Sequence, residues 1–284
     1  MVCVISLAKG CWEEDFILKE HLPPNLNVLY FDDPQQVEIP VEEYVLLFSM
    51  GGANFYHIEE LCRKKNPLVI FMISDENGMN PEFNKLSTYT NLFVRQYHHA
   101  HYPTYPNIVY LPLGYMRNML PCKSTDLKVK PINERQFRWS FVGEVRENRK
   151  KMINKFRSSG LVPYFLMNGI LPSQMFDVYS NSIFVPNDRG HINLDCLRLY
   201  EASLCGAIPI VVGNMEEIRK TFLYEESPPW IFADSWDKAI NVCYKLLRDP
   251  TLLQKRQNAV VYWWHSRVEN LRSTLNKKCF SNLS

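Results

Sequence analysis

The chain has 284 residues, enough for two domains of about 140 residues each or one large one. Hydrophobic residues make up 46% and charged residues 22%, a globular composition with material for substantial cores. Lys+Arg total 32 against Asp+Glu 30, and this near-balance gives no electrostatic reason to expect nucleic acid or an anionic membrane as a partner.

The N-terminal "MVCVISLA" lacks a basic leader and runs straight into Lys9-Gly10, so it reads as a first strand over 2–8 rather than a signal peptide. Further apolar runs predict strands over 27–32, 44–50, 68–74, 92–97 and 107–113, with helical patterns over 54–65 and 81–90. The stretch from Met116 to Arg135 breaks this rhythm: it carries Pro121, Pro131 and three lysines and has no clean periodicity. The alternation then resumes. "RWSFVG" leads to a helix over 147–159, "PYFLM" to one over 173–181, and "IFVP" to one over 193–205. "IPIVVG" leads to a helix over 215–222 and "WIFAD" to one over 236–248, before a long last helix over about 251–275. Near-continuous apolar strands with helices between them argue for parallel sheets covered on both faces. The expected organisation is an N-terminal domain (1–120), a linker (121–134), a second domain (135–250) and a C-terminal helix (251–284) packing back toward the first domain. Sheets of this kind bind ligands beyond the C-terminal ends of their strands, where the winding reverses.

No apolar run approaches the ~20 residues needed to cross a bilayer, so membrane insertion is not expected and a cytoplasmic location is. The eight cysteines form no C-x-x-C pair and most sit in apolar stretches, which reads as reduced, buried thiols.

The residues that could carry chemistry cluster at predicted strand ends. In "HINLDCLRLYEASLCGAIPIVVG", Asn193 is placed to cap a helix on which Arg198 and Glu201 lie one turn apart. They read either as a surface ion pair or as a ligand-binding pair, the latter favoured by the Asp188-Arg189-Gly190 loop, where backbone N–H groups can gather for an anion. "WSFVGEVRENRKK" ends a strand at Gly143 and opens a helix with Arg146 and Arg149. Basic residues at a helix start oppose the macrodipole, so an anionic ligand such as a diphosphate accounts for them better than a solvated basic face.

In "FMISDENGMNPEF", Asp75 and Glu76 end a strand. Either is a possible general base, and both are equally readable as turn and capping residues. "RQYHHAHYP" offers Arg95, His98, His99 and His101, better suited to hydrogen-bonding a polar substrate than to holding a metal. Gly51-Gly52 reads either as close approach to a ligand or as plain turn geometry, and "YWWH" (262–265) as packing. No D-x-D, the usual metal–diphosphate device, occurs in the chain, and no G-x-G-x-x-G follows a strand.

"SFVG…R" and "FVPNDRGHINLDCLRLYEASLCGAIPIVVG" resemble the C-terminal half of exostosin-like glycosyltransferases (glycosyltransferase family 47). "ISDE", "RQYHH" and "NIVYLPLGY" look like its N-terminal half, in the same order. The resemblance spans about residues 68–265 and is nearest to compact xylosyltransferase-like members, including those encoded by large algal viruses. It implies a GT-B fold, α/β with two Rossmann-like doubly wound domains facing a central cleft. It also implies inverting, metal-independent transfer without a cofactor, from a UDP-sugar (xylose from UDP-xylose, or another UDP- or GDP-sugar) to a glycan or glycoprotein acceptor. On this reading Glu201 holds the ribose hydroxyls and Gly143, Arg146 and Arg198 surround the diphosphate, with Arg149, Arg189 and Asn193 completing the donor site. Asp75 is the expected base with Glu76 beside it, and Gly51, Gly52, Arg95, His98 and His99 are expected toward the acceptor. A non-catalytic sugar-nucleotide-binding or lectin-like module is the alternative.

Overall fold

In the computed structural model, every apolar run named above becomes a strand of one of two wholly parallel sheets. The structure describes residues 2–39, 42–50, 53–78, 80–99, 101–103, 105–222 and 227–281. Two units are resolved: residues 1–113 with 268–284, and residues 114–267.

The first unit carries β1 (Val2–Leu7), β2 (Asn27–Tyr30), β3 (Glu43–Ser49), β4 (Val69–Ile73), β5 (Leu92–Arg95) and β6 (Ile108–Tyr110), in the sheet order β2-β1-β3-β4-β5-β6. Strands β3, β4 and β5 bury almost every side chain, as strands covered on both faces must, and this is why they read as unbroken apolar runs. Between β1 and β2 lies a short helix, α1 (Glu14–Phe16), continued as a π-turn over Ile17–His21; the sequence pattern missed it. Helix α2 (Phe55–Lys64) starts at Asn54, whose side chain accepts from the Tyr56 N–H, and buries Ile58, Leu61 and Cys62 against the sheet. The helical pattern at 81–90 is a 3-10 helix (Pro81–Tyr89) rather than an α-helix.

The second unit carries β7 (Phe137–Val142), β8 (Tyr164–Met167), β9 (Ser182–Asn187), β10 (Ile208–Val212) and β11 (Ile231–Ala233), ordered β11-β10-β9-β7-β8. Its helices are α3 (Glu147–Ser158), α4 (Pro172–Ser180), α5 (Leu197–Leu204), α6 (Met215–Phe222) and α7 (Trp236–Arg248). The stripe on α7 packs as its spacing demands: Ala239, Cys243 and Leu246 are buried, with Val242 and Leu247 against the same core. Helix α8 (Pro250–Leu275) is continuous, and its end from Val268 onward groups with the first unit.

The stretch expected as a linker belongs to the second unit and is tied down by Arg135, a buried guanidinium. It donates to the carbonyls of Tyr179 (3.2 Å), Ser182 (2.7 Å), Cys205 (2.6 Å) and Lys130 (3.0 Å). All eight cysteines are free thiols; Cys3, Cys62, Cys205, Cys243 and Cys279 are buried and Cys122 is exposed. Among the described residues, no helix is long and apolar enough to cross a membrane.

In each sheet the chain winds outward in both directions from its first strand: from β1 to β2 on one side and β3 on the other, and from β7 to β8 on one side and β9 on the other. The loops leaving β1 and β3, and those leaving β7 and β9, therefore part company. Each parting point is a ready ligand site.

Candidate functional site

In the second unit, the parting point of β7 and β9 is built around two buried arginines. Arg198, on α5, donates from Nε to the carbonyl of Val142 at the end of β7 (3.0 Å) and from Nη1 to Asn187 Oδ1 at the end of β9 (2.6 Å). Its guanidinium carbon lies 4.5 Å from the centre of the Phe141 ring. Arg149, on α3, donates to the carbonyls of Glu144 (2.9 Å) and Arg189 (3.1 Å), the loops that follow the same two strands.

Both guanidinium groups meet at Gly143. A Cβ built there would lie 2.7 Å from Arg198 Nη2 and 3.8 Å from Arg149 Nη1, and the residue adopts φ 139°. Only glycine fits that backbone and that neighbour. Burial works against the charge of Arg149, and the Arg198 charge beside it adds to the effect. Among the described residues, the buried Nε of Arg149 has no hydrogen-bond partner. Two buried cations in one place favour an anion between or beside them.

Helix α5 is buried along nearly its whole length, including Arg198 and Glu201, so the surface ion-pair reading does not apply. Glu201 Oε1 accepts from the Met116 N–H at 3.2 Å. The helix begins at Leu197, four residues later than the sequence suggests, with Cys196 rather than Asn193 at its N-cap. The reason is local: the Asn193 carbonyl accepts from the Gly190 N–H (2.8 Å) and the Leu194 carbonyl from the Asn187 side chain (3.3 Å). Those acceptors are thereby spent on the loop.

Arg189 contributes its carbonyl, not its guanidinium, which pairs with both oxygens of Glu217 on α6. Arg146 precedes α3 at its N-cap, pairing with Glu144 (2.7 Å) and His191 Nδ1 (2.9 Å) at the rim.

In the first unit, Asp75 follows β4 and its carboxylate is paired with Arg95 Nη2; the same guanidinium donates through Nη1 to Asn84. Arg95 is 0% exposed and lies 4.6 Å from the centre of the Tyr102 ring. It is thus a core counter-ion rather than an acceptor-binding side chain, because no part of it reaches solvent. Burial pushes the Asp75 carboxyl up, to about 6, against the pull of Arg95 and of the Gly78 N–H. His99 Nε2 lies 3.0 Å from the Asp75 carbonyl, and its ring leans on Gly78, where a Cβ would come within 2.5 Å of it. Burial holds His99 below its ordinary value. His98 packs its ring edge-on against Tyr110. Glu76 follows Asp75 half-buried, and Gly51 and Gly52 lie outside the described residues.

One group was passed over in the sequence: Glu13, in the loop after β1. Its carboxylate accepts from the Ser74 hydroxyl at 3.4 Å, and burial pushes its carboxyl above the ordinary range. The signal was present in "KGCWEEDF", an acidic pair just past the first strand of a doubly wound sheet.

No family model matches the sequence, and no curated protein matches it. Solved structures do. An α-glucosyltransferase in complex with UDP and a 13-mer DNA superimposes with a TM-score of 0.56 at 10% identity, covering 100% of this chain and 98% of that one. T4 phage BGT with its UDP-glucose substrate gives 0.51 at 9% identity (98% and 99% covered). A mutant O-GlcNAc transferase of Thermobaculum terrenum gives 0.50 at 11% identity (98% and 66% covered). At such identities the likeness speaks for the fold: two parallel-sheet α/β units of the GT-B kind.

Proposed function

We propose that this chain is a glycosyltransferase whose donor is a UDP-sugar. The observation that carries the reading is the convergence of Arg149 and Arg198 on Gly143 at the ends of β7 and β9. A diphosphate suits that place in charge and shape: two guanidinium groups answer its oxygens, and a glycine lets the backbone come close. Glu201, buried one turn along α5 from Arg198, is the group for the ribose hydroxyls. UDP as the nucleotide is supported by the bound UDP or UDP-glucose in the α-glucosyltransferase and in BGT.

Transfer then proceeds as a single displacement. A base takes the proton of an acceptor hydroxyl, and its oxygen forms a bond to the anomeric carbon. The bond from that carbon to the diphosphate oxygen breaks, and the electron pair leaves with UDP. Arg149 and Arg198 stabilise the departing charge, which is the work a divalent cation does in other designs. Inversion at the anomeric carbon, xylose as the donor sugar and a glycan acceptor are favoured by the family resemblance. The near-balance of 32 basic and 30 acidic residues favours a glycan over DNA, the molecule bound by the α-glucosyltransferase.

The test is direct binding. Calorimetry and thermal shift with UDP, UDP-glucose, UDP-xylose and GDP-mannose are expected to favour the UDP compounds, with about 2.7 kcal/mol of stabilisation at 100 times Kd. If no nucleoside diphosphate binds, the reading is overturned.

A further inference from the structure

We infer that Glu13, not Asp75, is the general base that takes the acceptor proton, with Ser74 as its positioning residue. This rests on the transferase reading above and names the residue that reading leaves open.

Four observations lead here. Glu13 lies in the loop that leaves β1, the strand from which the first sheet winds outward on both sides. That is where a doubly wound sheet opens to a ligand. The loop meets solvent: Lys9 and Gly10 are exposed and Trp12 is 63% exposed, while Glu13, next in the chain, is 6% exposed. A carboxylate almost wholly withdrawn from water in a loop whose neighbouring residues are exposed is strongly desolvated, yet keeps a small part of its surface open.

The surroundings of Glu13 are arranged around it. Ser74, at the end of β4, has φ 63°, a region that non-glycine residues enter at a cost. It is held there because its N–H donates to Gln96 Oε1 (3.0 Å), and Gln96 is fixed in turn by donating to the Leu113 carbonyl (3.2 Å). The outcome of that chain is a hydroxyl directed at the Glu13 carboxylate, 3.4 and 3.5 Å from its two oxygens.

The comparison with Asp75 turns on what each carboxylate leaves behind when it accepts a proton. Asp75 is paired with Arg95, and the side chains are 2% and 0% exposed. Protonating Asp75 would strand a fully buried guanidinium without its counter-charge. Among the described residues, the side-chain hydrogen-bond partner of Glu13 is the neutral Ser74 hydroxyl, so protonation removes a lone charge from a poorly solvated place. Burial pushes both carboxyls upward, so it is the neutral partner of Glu13 and the buried cation beside Asp75 that separate them. The other titratable groups of this loop and of α1 after it are Lys9, the Cys11 thiol, raised by burial, Glu14, which accepts from the Gly10 N–H (3.2 Å), and Asp15, which pairs with Lys19 (2.7 Å). Asp75 then serves the fold, keeping Arg95 and the 75–78 turn in place.

The experiment uses the full chain with UDP-glucose and UDP-xylose as donors and water as the acceptor, measuring UDP release across pH alongside UDP binding by calorimetry. Glu13→Gln keeps the shape of the side chain. It is expected to bind UDP within twofold of wild type, release UDP 10²- to 10⁴-fold more slowly, and lose the acidic limb of the pH–rate profile. Ser74→Ala removes a donor to the carboxylate and is expected to move that limb to higher pH while rate at alkaline pH is retained. The assignment is overturned if Glu13→Gln turns over within threefold of wild type, or if its acidic limb persists unchanged. An unmoved limb in Ser74→Ala overturns the positioning role. A wild-type protein that neither binds UDP nor releases it from either donor overturns the transferase reading itself, a result distinct from normal UDP binding with an indifferent Glu13→Gln.

Discussion

Replacing Gly143 with alanine tests the geometry of the second unit and its proposed ligand in one variant. The position has φ 139°, which an L side chain adopts only under strain of about 1–3 kcal/mol. The new Cβ would stand 2.7 Å from Arg198 Nη2, so the guanidinium must withdraw. It is not a free side chain: withdrawal stretches its bonds to the Val142 carbonyl (3.0 Å) and to Asn187 (2.6 Å). One charge-assisted bond lost contributes roughly 1.5–3 kcal/mol, so strain and bond together amount to roughly 2.5–6 kcal/mol. At about 2–4 °C per kcal/mol, the melting temperature falls by at least 5 °C. If Arg198 also holds the diphosphate, UDP affinity drops by roughly 10- to 150-fold. Scanning calorimetry and UDP titration below the melting transition read the two effects separately. Wild-type stability in this variant would refute the packing of Arg198 on Gly143. Lower stability with unchanged UDP affinity would remove Arg198 from the diphosphate site.

Glu201→Gln keeps an oxygen for the Met116 N–H but removes the charge; it is expected to weaken UDP by about five- to tenfold. Loss of discrimination between UDP and 2′-deoxy-UDP in the variant would confirm the ribose contact, and unchanged discrimination would exclude it. If the arginines supply the positive charge as proposed, turnover in excess EDTA should equal the untreated rate; a loss restored by Mn²⁺ or Mg²⁺ would sink that assignment. A third expectation concerns acid stability. Burial first, and Arg272 second, hold His21 down to about 3 from 6.5, and among the described residues neither ring nitrogen has a hydrogen-bond partner. The unfolded chain therefore takes up a proton near pH 6.5 that the folded chain refuses, so stability present above 6.5 is lost as pH falls toward 3. The loss is roughly 2 kcal/mol by pH 5. His21→Phe, beside Phe16, should flatten the melting temperature between pH 7 and 5, and an unchanged slope would show that His21 is not the group responsible.

Much of the fold was readable because it is local. The unbroken apolar runs at 44–50, 68–74 and 208–213 are short and bounded by turn residues, which argues for strands covered on both faces, and the helical pattern over 236–248 matches the observed ends of α7, Trp236 and Arg248. The 81–90 pattern misled because Ser87, Thr88 and Thr90 are weak helix formers, and Thr88 turns its hydroxyl back to the Lys85 carbonyl. At the sites, residue type was legible and partnership was not. Arg198 and Glu201 stood out by spacing, but their partners Val142, Asn187 and Met116 come from other parts of the chain. Arg95 read as a side chain at a strand exit, whereas a counter-ion twenty residues away in sequence draws it wholly inside. Glu13 was overlooked because its Ser74 neighbour lies 61 residues further on.

The distribution of thiols has a practical consequence. Cys122 is the exposed cysteine, while burial raises the thiols of Cys3 and Cys62 in the first unit and of Cys205 and Cys243 in the second. A maleimide dye should therefore attach at Cys122 quickly, at the half-buried Cys11 and Cys196 more slowly, and at the buried thiols only when structure opens. After those three sites are blocked, the slow appearance of further labelled cysteines becomes a clock for transient opening, with Cys62 and Cys243 reporting on one unit each in the unmutated protein.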